Sequence, residues 1–321
     1  MKLCIEVPTW LGDSVMATPA IEMLIKAYPD VKITIFGTDV STAIFSTHPN
    51  VEKIVIDESK KSRFRGLWLY KKAKMLGSFD RALTFRSSLA SRVFLWGLSA
   101  KKKAHYKKNQ KIQRHQVLRY SDFVNEICAL NLIPEKLMLT LTSTVYSKPT
   151  LGINPGASYG SAKRWYPDKF AEVAIALHDV YDIVIFGGPS EVDMAADIEA
   201  ILKENQIKNY QNVAGKTTIV ELCQNIGGLS LFITGDSGPM HVATAYKIPT
   251  VALFGPTKDK ETSPWQNPKS IIVKKEMACA PCMKRTCPLK HHECMKFIEV
   301  DDVLEAVKKL NPLINLSVQL T

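Results

Sequence analysis

The sequence predicts an α/β protein built from two doubly wound, Rossmann-like domains. Short apolar runs typical of buried strands alternate with segments of helical periodicity, which indicates parallel sheets covered by helices. The alternation restarts after a polar linker at residues 147–150, and 321 residues suffice for two hydrophobic cores. We therefore expect a first domain at residues 1–147, a second at 148–300, and a final segment at 301–321.

The first half opens with a strand, a glycine-containing loop and a helix. Strands are predicted at residues 3–7, 32–36, 51–56 and 81–85, and helices at 15–27, from residue 39 and at 67–76. Functional loops lie at the carboxyl ends of parallel strands, so the loop at residues 9–14 is a candidate site. Asp13 there could be a general base or the N-cap of the next helix, and Ser14 could equally be the cap. The residues alone favour capping.

The second half continues the pattern, with strands predicted at residues 151–154, 182–186, 231–234 and 250–254. Gly235 and Gly238 supply a turn after the third of these strands, Pro239 suits the first turn of a helix, and Asp236 or Ser237 could cap it. Backbone N–H groups at such a helix start favour phosphate binding. An ordinary capped turn is the alternative.

Two further loops of the second half carry candidate ligand contacts. Lys163, in the glycine-rich loop 155–165, could reach a phosphate or be a solvated charge, and Trp165 is expected to pack in the core. Glu191 follows a strand and could hold ribose hydroxyls or merely favour a helix start. The Gly-Lys-Thr at 215–217 is not a P-loop, because Tyr210 stands where the first glycine is required.

Charge is distributed unevenly along the chain, whose net charge is +11. Residues 1–150 hold 24 Lys/Arg and 12 Asp/Glu, whereas residues 151–321 hold 18 and 19. Basic clusters lie at residues 60–65 and 101–119, and both have aromatic neighbours but no recognised nucleic-acid motif. This pattern indicates an anionic partner, and we expect the clusters to form a mobile surface facing phosphate groups or an anionic membrane.

The start of the chain and its cysteines bear on the compartment. No apolar run is long enough to cross a bilayer, and Glu6 and Pro8 interrupt the apolar start that a signal peptide needs. We therefore expect a cytosolic protein whose seven cysteines are thiols or metal ligands. Four of them lie within sixteen residues, which suits a structural metal site or, alternatively, a thiol-rich loop: Cys279, Cys282, Cys287 and Cys294.

Four motifs, in this order along the chain, resemble one enzyme family. They are Trp-Leu-Gly-Asp-Ser at 10–14, Pro-Gly-Ala with Ala-Lys-Arg-Trp in 155–165, Gly-Asp-Ser-Gly-Pro-Met-His at 235–241, and Leu-Phe-Gly-Pro-Thr at 253–257. Together they resemble the ADP-heptose:lipopolysaccharide heptosyltransferases, which are family 9 glycosyltransferases. Residues 163–165 and 287–295 are most similar to the heptosyltransferase II branch. The resemblance implies the GT-B fold, in which two Rossmann-like domains face a central cleft.

The resemblance also implies a reaction and its residues. It implies inverting transfer of L-glycero-D-manno-heptose from ADP-heptose to the heptosyl-Kdo2-lipid A inner core of lipopolysaccharide. Asp13 becomes the general base rather than a cap, and Lys163 with the N–H groups of residues 236–240 stabilises the diphosphate. The implied nucleotide-sugar contacts are Ser158, Glu191, Thr217, Asp236, Ser237, Gly238, Pro239, Met240 and His241. The implied acceptor contacts are Gly12, Arg63, Arg65, Arg86, Lys101, Lys102 and Lys103.

The remaining implications concern cofactors and partners. The resemblance implies a metal-independent enzyme without cofactor, which fits the absence of an Asp-x-Asp motif from the sequence. It further implies a monomer that binds no nucleic acid, lies on the inner face of the inner membrane of a Gram-negative bacterium, and returns its last helix to the first domain. The alternatives are heptosyltransferase I or III, another GT-B nucleotide-sugar enzyme, for example one that uses UDP, and a basic anion-binding module without catalysis.

Overall fold

A computed structural model of the chain describes residues 1–107, 113–157 and 159–312. The chain divides into two compact units, Met1–Leu141 and Thr142–Thr321. This boundary lies a few residues before the predicted one at 147. The reason is local, because Thr144 N donates to Gln224 O at 2.8 Å and the Tyr146 hydroxyl donates to Asn225 O at 3.2 Å. Residues 142–146 are thereby held on the second unit.

Within its described residues, the first unit forms a sheet of five parallel strands in the order β3-β2-β1-β4-β5. The strands are β1 (Lys2–Glu6), β2 (Lys32–Gly37), β3 (Val51–Ile56), β4 (Ser78–Thr84) and β5 (Ser99–His105). The helices are α1 (Leu11–Ala27), α2 (Asp39–Thr42), α3 (Arg65–Lys74), α4 (Leu89–Gly97) and α5 (Gln116–Cys128).

The described part of the second unit forms a parallel sheet of six strands in the order β11-β10-β9-β6-β7-β8. The strands are β6 (Thr150–Asn154), β7 (Asp182–Ile185), β8 (Tyr210–Asn212), β9 (Leu231–Gly235), β10 (Thr250–Leu253) and β11 (Ser270–Val273). The helices are α6 (Pro167–Leu177), α7 (Val192–Glu204), α8 (Ile219–Gly227), α9 (Gly238–Ala245), α10 (Asp259–Thr262), α11 (Glu293–Lys296) and α12 (Val300–Leu310). The predicted fold class of two doubly wound sheets is confirmed.

Three strands at sheet edges were not predicted: β5, β8 and β11. The most consequential is β5, because the sequence analysis expected a mobile surface over Lys101, Lys102 and Lys103. That expectation is wrong for these residues, which pair in register with β4. An edge strand tolerates consecutive lysines because one side of its backbone has no neighbouring strand and its side chains reach solvent. The rest of the predicted cluster includes residues 108–112, which lie outside the described residues.

Helix α1 begins at Leu11, four residues earlier than predicted. Its N-cap is Trp10, which makes no side-chain capping hydrogen bond, so the capping interpretation of Asp13 and Ser14 is wrong. Asp13 instead lies inside the first turn, where the helix dipole favours an ionised carboxylate. Ser14 is buried, and its Oγ donates to Pro8 O at 3.2 Å. The hydroxyl thus fixes the β1–α1 loop.

The core of the second unit includes α12, whose buried face packs on α6, β10 and β11. The sequence analysis set residues 301–321 apart from the second domain, but these contacts make α12 part of it. Residues 313–321 lie outside the described residues. Trp165 is buried, packs edge-to-face on Phe170 and donates from Nε1 to Ile298 O at 3.0 Å, which confirms its predicted packing role. Among the described helices, none combines the length and apolar composition that a bilayer crossing requires.

Candidate functional site

The second sheet reverses its strand order between β6 and β9, and the loops after these strands meet there. Lys163 follows β6 and Asp236 follows β9. The Lys163 ammonium lies 2.6 Å from Asp236 Oδ2 and donates to Asp236 O at 3.0 Å. Both side chains are largely buried, at 12% and 5% exposure. Two residues predicted to contact the nucleotide sugar are thus joined at the topological switch point.

Asp236 is held on three sides. Besides the bond to Lys163, its Oδ2 accepts a hydrogen bond from Thr257 Oγ1 at 2.7 Å, and its N–H donates to Leu253 O at 3.2 Å. Ser237 takes the predicted N-cap position of α9, but neither its side chain nor that of Asp236 makes a capping hydrogen bond. Thr257 was not predicted as a site residue. Its position just past β10, at the same edge of the sheet, was the signal that could have identified it.

The start of α9 offers backbone donors beside this ion pair. Its N-cap is Ser237, and Gly238, Pro239 and Met240 form the first turn. The predicted donor set of residues 236–240 needs correction, because Pro239 has no N–H and the Asp236 N–H already binds Leu253 O. The amides of Ser237, Gly238 and Met240 remain, and helix geometry provides no acceptor for amides at these positions. Together with Lys163, they suit an anion.

The other predicted nucleotide-sugar contacts lie in different settings. His241 is buried in α9. Glu191 is also buried, accepts a hydrogen bond from Gly188 N at 2.6 Å, and packs so closely on Gly156 that any Cβ there would overlap its carboxyl group. Its carboxylate therefore lies between the loops that follow β6 and β7. Thr217 lies in a half-buried loop before α8. Ser158 lies outside the described residues.

The Lys163 loop, which we define as residues 159–166, is braced by residues 279–294, here called the cysteine segment. The Tyr159 hydroxyl donates to Met283 O at 2.9 Å, and Ala162 N donates to Arg285 O at 3.0 Å. Both nitrogens of the His292 ring contact this loop: Nε2 donates to Ala162 O at 2.9 Å, and Nδ1 lies 3.1 Å from the Tyr166 hydroxyl.

Gly160 makes this close approach possible. Its φ is +157°, and a Cβ at that position would overlap the Arg285 carbonyl. The Tyr159 ring lies between two cations, with Lys163 Nζ 4.7 Å and Arg285 Cζ 5.4 Å from its centroid. The cysteine segment therefore sets the backbone that carries Lys163.

The four cysteines of this segment are free thiols. Burial, followed by the charges of Cys279, Cys282 and Cys287, raises the pKa of Cys294 to about 11. Within residues 1–107, 113–157 and 159–312, no group of three or more His, Cys, Asp or Glu side chains is arranged to hold a metal ion. The segment's contacts with the Lys163 loop give it a structural role that the sequence analysis did not identify.

The first sheet also has a switch point, between β1 and β4. Glu6 at the end of β1 and Arg86 just past β4 meet there, with Arg86 Nη1 3.3 Å from Glu6 Oε1 and 3.4 Å from Asp57 Oδ2. Arg86 Nε donates to Val7 O at 2.7 Å, which ties this cluster to the loop that leads to Asp13. All three charged side chains are at least nine-tenths buried.

Burial raises the pKa of Glu6, while Arg86 and the hydroxyls of Thr84 and Ser91 oppose the rise. The Arg86 Nη2 atom is buried and has no hydrogen-bond partner among the described residues. Arg86 was predicted to contact the acceptor, and its guanidinium is engaged inside the protein. Its acceptor role stays a prediction. The sequence analysis missed Glu6 as a site residue, although an acid within an otherwise apolar strand is the kind of signal that marks one.

Asp13 lies near an aromatic cluster formed by α5 and the residues just past β4 and β5. Burial, followed by the negative charge of Asp13, raises the pKa of Tyr120 well above its usual value, so this hydroxyl stays protonated at neutral pH. The Tyr120 ring packs 5.2 Å from both Phe85 and Tyr106. Gly12 is buried directly before Asp13 in the first turn of α1. The result is a carboxylate at the edge of the sheet with an apolar flank.

The other predicted acceptor residues lie on the surface of the first unit. Arg63 and Arg65 are exposed, and Arg65 Nε donates to Ser59 Oγ at 3.1 Å. Lys101 lies 2.7 Å from Asp80 Oδ1, and Lys103 Nζ donates to Trp96 O at 3.1 Å. Lys102 is exposed on the same strand. The structure thus separates these surface cations from buried Arg86.

Comparisons with known sequences agree on one protein family. The profile described as "Glycosyltransferase family 9 (heptosyltransferase)" matches residues 128–293. The chain is 44% identical over 319 residues to the Campylobacter jejuni protein named lipooligosaccharide heptosyltransferase 2, with 97% of this chain and 99% of that protein covered. It is 26% identical to the Haemophilus influenzae protein of the same name, over 85% and 88% of the two chains.

Comparison with solved structures agrees on the fold. The structure described as Escherichia coli ADP-heptose LPS heptosyltransferase II superposes with a TM-score of 0.79 at 24% identity, covering 97% of this chain and 98% of that one. At this identity the match bears on architecture, and it confirms the predicted GT-B fold.

Proposed function

The chain belongs to glycosyltransferase family 9, and from that premise we propose the reaction that this enzyme catalyses. It transfers a heptosyl group from ADP-heptose to the inner core of lipopolysaccharide, as the names of its relatives indicate. The acceptor is heptosyl-Kdo2-lipid A, as expected for heptosyltransferase II. The observation that carries the proposal is the ion pair of Lys163 and Asp236 beside the first turn of α9 at the second switch point, because a lysine next to a helix start suits a diphosphate.

The donor binds to the second unit. The Lys163 ammonium has three N–H groups, of which two point to Asp236 and the third can bind a phosphate oxygen. The amides of Ser237, Gly238 and Met240 bind further phosphate oxygens. Ribose binding by Glu191 requires its carboxylate to accept hydroxyl donors in addition to the Gly188 N–H, which two carboxylate oxygens allow. Thr217, His241 and Ser158 complete the proposed donor contacts.

Asp13 in the first unit acts as the general base. It takes the proton from the acceptor hydroxyl while that oxygen attacks the anomeric carbon of the heptose. The bond between the anomeric carbon and the diphosphate oxygen breaks, ADP leaves with the bonding electrons, and the anomeric configuration inverts. Charge that develops on the diphosphate is stabilised by Lys163 and the α9 amides, which are fixed before the reaction begins. This assignment requires neither a metal ion nor a cofactor.

The acceptor side of the proposal rests on charge. Gly12, Arg63, Arg65, Arg86 and Lys101–Lys103 belong to the unit that holds the basic excess, and the acceptor carries phosphate and carboxylate groups. The acceptor is also lipid-anchored, so we propose that the enzyme works as a monomer on the inner face of the inner membrane.

A transfer assay tests the reaction. ADP-heptose is offered with heptosyl-Kdo2-lipid A or with Kdo2-lipid A, each with and without EDTA. We expect transfer to the heptosylated acceptor alone, unchanged by EDTA. Transfer to the bare acceptor would move the assignment to heptosyltransferase I, and EDTA sensitivity would contradict metal independence. If neither acceptor reacts, thermal protection by UDP but not ADP would indicate a different nucleotide-sugar enzyme.

A further inference from the structure

Two helices of the first unit expose apolar side chains to an unusual extent. We define the α3–α4 face by five of them, which are 51–79% exposed: Phe64, Leu67, Met75, Leu89 and Trp96. Single exposed apolar residues are normal on protein surfaces, but a group on neighbouring elements indicates an interaction site. The catalytic proposal above uses none of these five side chains.

The five side chains lie on or next to two helices that pack against each other. Phe64 immediately precedes α3, and Phe64, Leu67 and Met75 follow helical spacing on the side opposite buried Leu69 and Ala73. Leu89 and Trp96 lie seven residues apart on α4 and therefore share a side. The helices pack tightly, because a Cβ on Gly97 would come within 2.9 Å of the Tyr70 carbonyl. The rings of Tyr70 and Trp96, 4.8 Å apart, join the two helices at the surface.

The same surface is strongly basic. Residues 60–74, which include α3, contain seven Lys/Arg and no acidic residue, and Lys61 pairs with Glu58 just before them. Cations lie directly beside the exposed aromatic rings, with Arg63 Cζ 5.6 Å from the Phe64 ring centroid and Lys74 Nζ 5.6 Å from that of Tyr70. From β5, Lys103 reaches the Trp96 carbonyl. An apolar centre with a cationic border matches the chemistry of an anionic lipid interface.

We propose that the α3–α4 face docks the protein on an anionic lipid bilayer. The five apolar side chains enter the headgroup region, and the surrounding Lys and Arg side chains bind lipid phosphates. This inference rests on the proposed function, because a lipid-anchored acceptor places the reaction at such a surface. It adds which part of the molecule makes the contact, and it assigns this contact to side chains other than Asp13 and Lys163.

The composition of the face favours lipid over two other partners. Sites for single-stranded nucleic acid combine cations with stacking aromatic rings, and they have no use for exposed aliphatic side chains such as Leu67, Met75 and Leu89. A second copy of the chain would bring two basic surfaces together, which repel each other. A bilayer with anionic headgroups satisfies both the aliphatic and the cationic parts.

Vesicle binding by the full chain tests the inference, with neither donor nor acceptor present. Vesicles of equal parts phosphatidylglycerol and phosphatidylcholine are compared with vesicles of phosphatidylcholine alone. The wild type should sediment with the anionic vesicles only. The double variant Phe64→Ser, Trp96→Ser should bind at least about tenfold more weakly, because each of the two substitutions removes apolar area from the interface. Lys71→Gln with Lys74→Gln should also weaken binding, by roughly fivefold for each charge.

The matched control is Ile133→Ser, because Ile133 is an 86% exposed apolar residue of the same unit that lies outside the face. Its vesicle binding should equal that of the wild type. Equal binding by the control and the Phe64/Trp96 variant would overturn the inference, as would wild-type binding to both kinds of vesicle without preference. Tighter binding to a single-stranded oligonucleotide than to vesicles, or a dimer that the Phe64/Trp96 substitutions dissociate, would assign the face to another partner and overturn it as well.

A milder substitution covers the case in which the double variant does not fold. Lipids brominated on their acyl chains should quench wild-type tryptophan fluorescence, and Trp96→Phe should lose that quenching while retaining its far-UV circular dichroism. Unchanged quenching would contradict insertion of Trp96. Failure of the inference is distinguishable from failure of the proposed function. Transfer to a detergent-solubilised acceptor without vesicle binding overturns only the docking face, and vesicle binding without transfer overturns only the reaction.

Discussion

The two units have the same backbone plan but different charged groups at their switch points. At the first, Glu6 and Asp57 surround the guanidinium of Arg86, and Asp13 lies in the first turn of α1. At the second, Lys163 and the first turn of α9 present positive charge and donors, with Asp236 fixing the lysine. The first arrangement suits proton removal and the second suits an anion. The loops that follow the strands, rather than the shared fold, therefore give the two units different chemistry.

Substitution of Asp13 is the strongest test of the difference between the two switch points. Asp13→Asn preserves size but removes the base, so turnover should fall by about a hundredfold or more. The affinity for ADP, measured by calorimetry, should remain close to that of the wild type, because the proposed donor site lies on the other unit. Asp39→Asn is the control, since Asp39 is also an acid in the first turn of a helix in the same unit. Full activity of Asp13→Asn would show that the first switch point supplies no base.

At the second switch point, Lys163→Met should affect binding as well as turnover. Loss of a charge-assisted hydrogen bond to the diphosphate should weaken ADP binding by roughly ten- to a hundredfold and lower kcat besides. Lys169→Met serves as the control, because Lys169 pairs with Glu299 elsewhere on the same unit. If both variants bind ADP like the wild type, the proposed anion site is wrong.

The cysteine segment should matter through the position of Lys163. His292→Ala removes two hydrogen bonds to the Lys163 loop and should raise the donor KM by roughly three- to thirtyfold, with a smaller change in kcat. The neighbouring His291→Ala should leave the donor KM unchanged, because His291 bonds within its own segment to Glu293 N. If His292→Ala only destabilised the fold, it would lower the fraction of active enzyme and leave the donor KM at its wild-type value. That result would contradict a positioning role.

The smallest expected effect is a change in stability at the first switch point. The pKa of Glu6 is raised in the folded protein above its usual 4.5. As the pH rises from 4.5 through that raised pKa, the unfolded chain releases the proton first, so the free energy of unfolding falls. Glu6→Gln should remove this slope, which is at most about 1.4 kcal/mol per pH unit. Urea denaturation across this pH range measures it, with exposed Glu172→Gln as the control, and a slope that persists in Glu6→Gln would assign it to another group.

The sequence predicted what local patterns encode. Apolar runs identified the central strands, and the glycine and proline residues after β9 identified the helix start beside Asp236. The start of α1 was misplaced because Trp10, which has no capping side chain, is its N-cap, and capping chemistry was the signal used. Strand β5 was missed because its three lysines lower the local hydropathy, so this edge strand lacks the apolar run by which the other strands were recognised.

Contacts between residues far apart along the chain could not be predicted from the sequence. Glu6 lies 80 residues from Arg86 along the chain, and no local pattern relates the two. The same holds for His292, which bonds a loop 130 residues earlier. The pairing of Lys163 with Asp236 required the strand order β6–β9, which brings two loops together that are separated by 73 residues.

The lysines of β5 have a consequence for assembly. An edge strand presents backbone N–H and C=O groups that could add a strand from another molecule and begin aggregation. Lys101, Lys102 and Lys103 occupy consecutive positions on this edge, so two copies approaching through β5 would set like charges against each other. The cost of that repulsion keeps the sheet from extending between molecules. We therefore expect these lysines to protect the exposed edge of the sheet against aggregation.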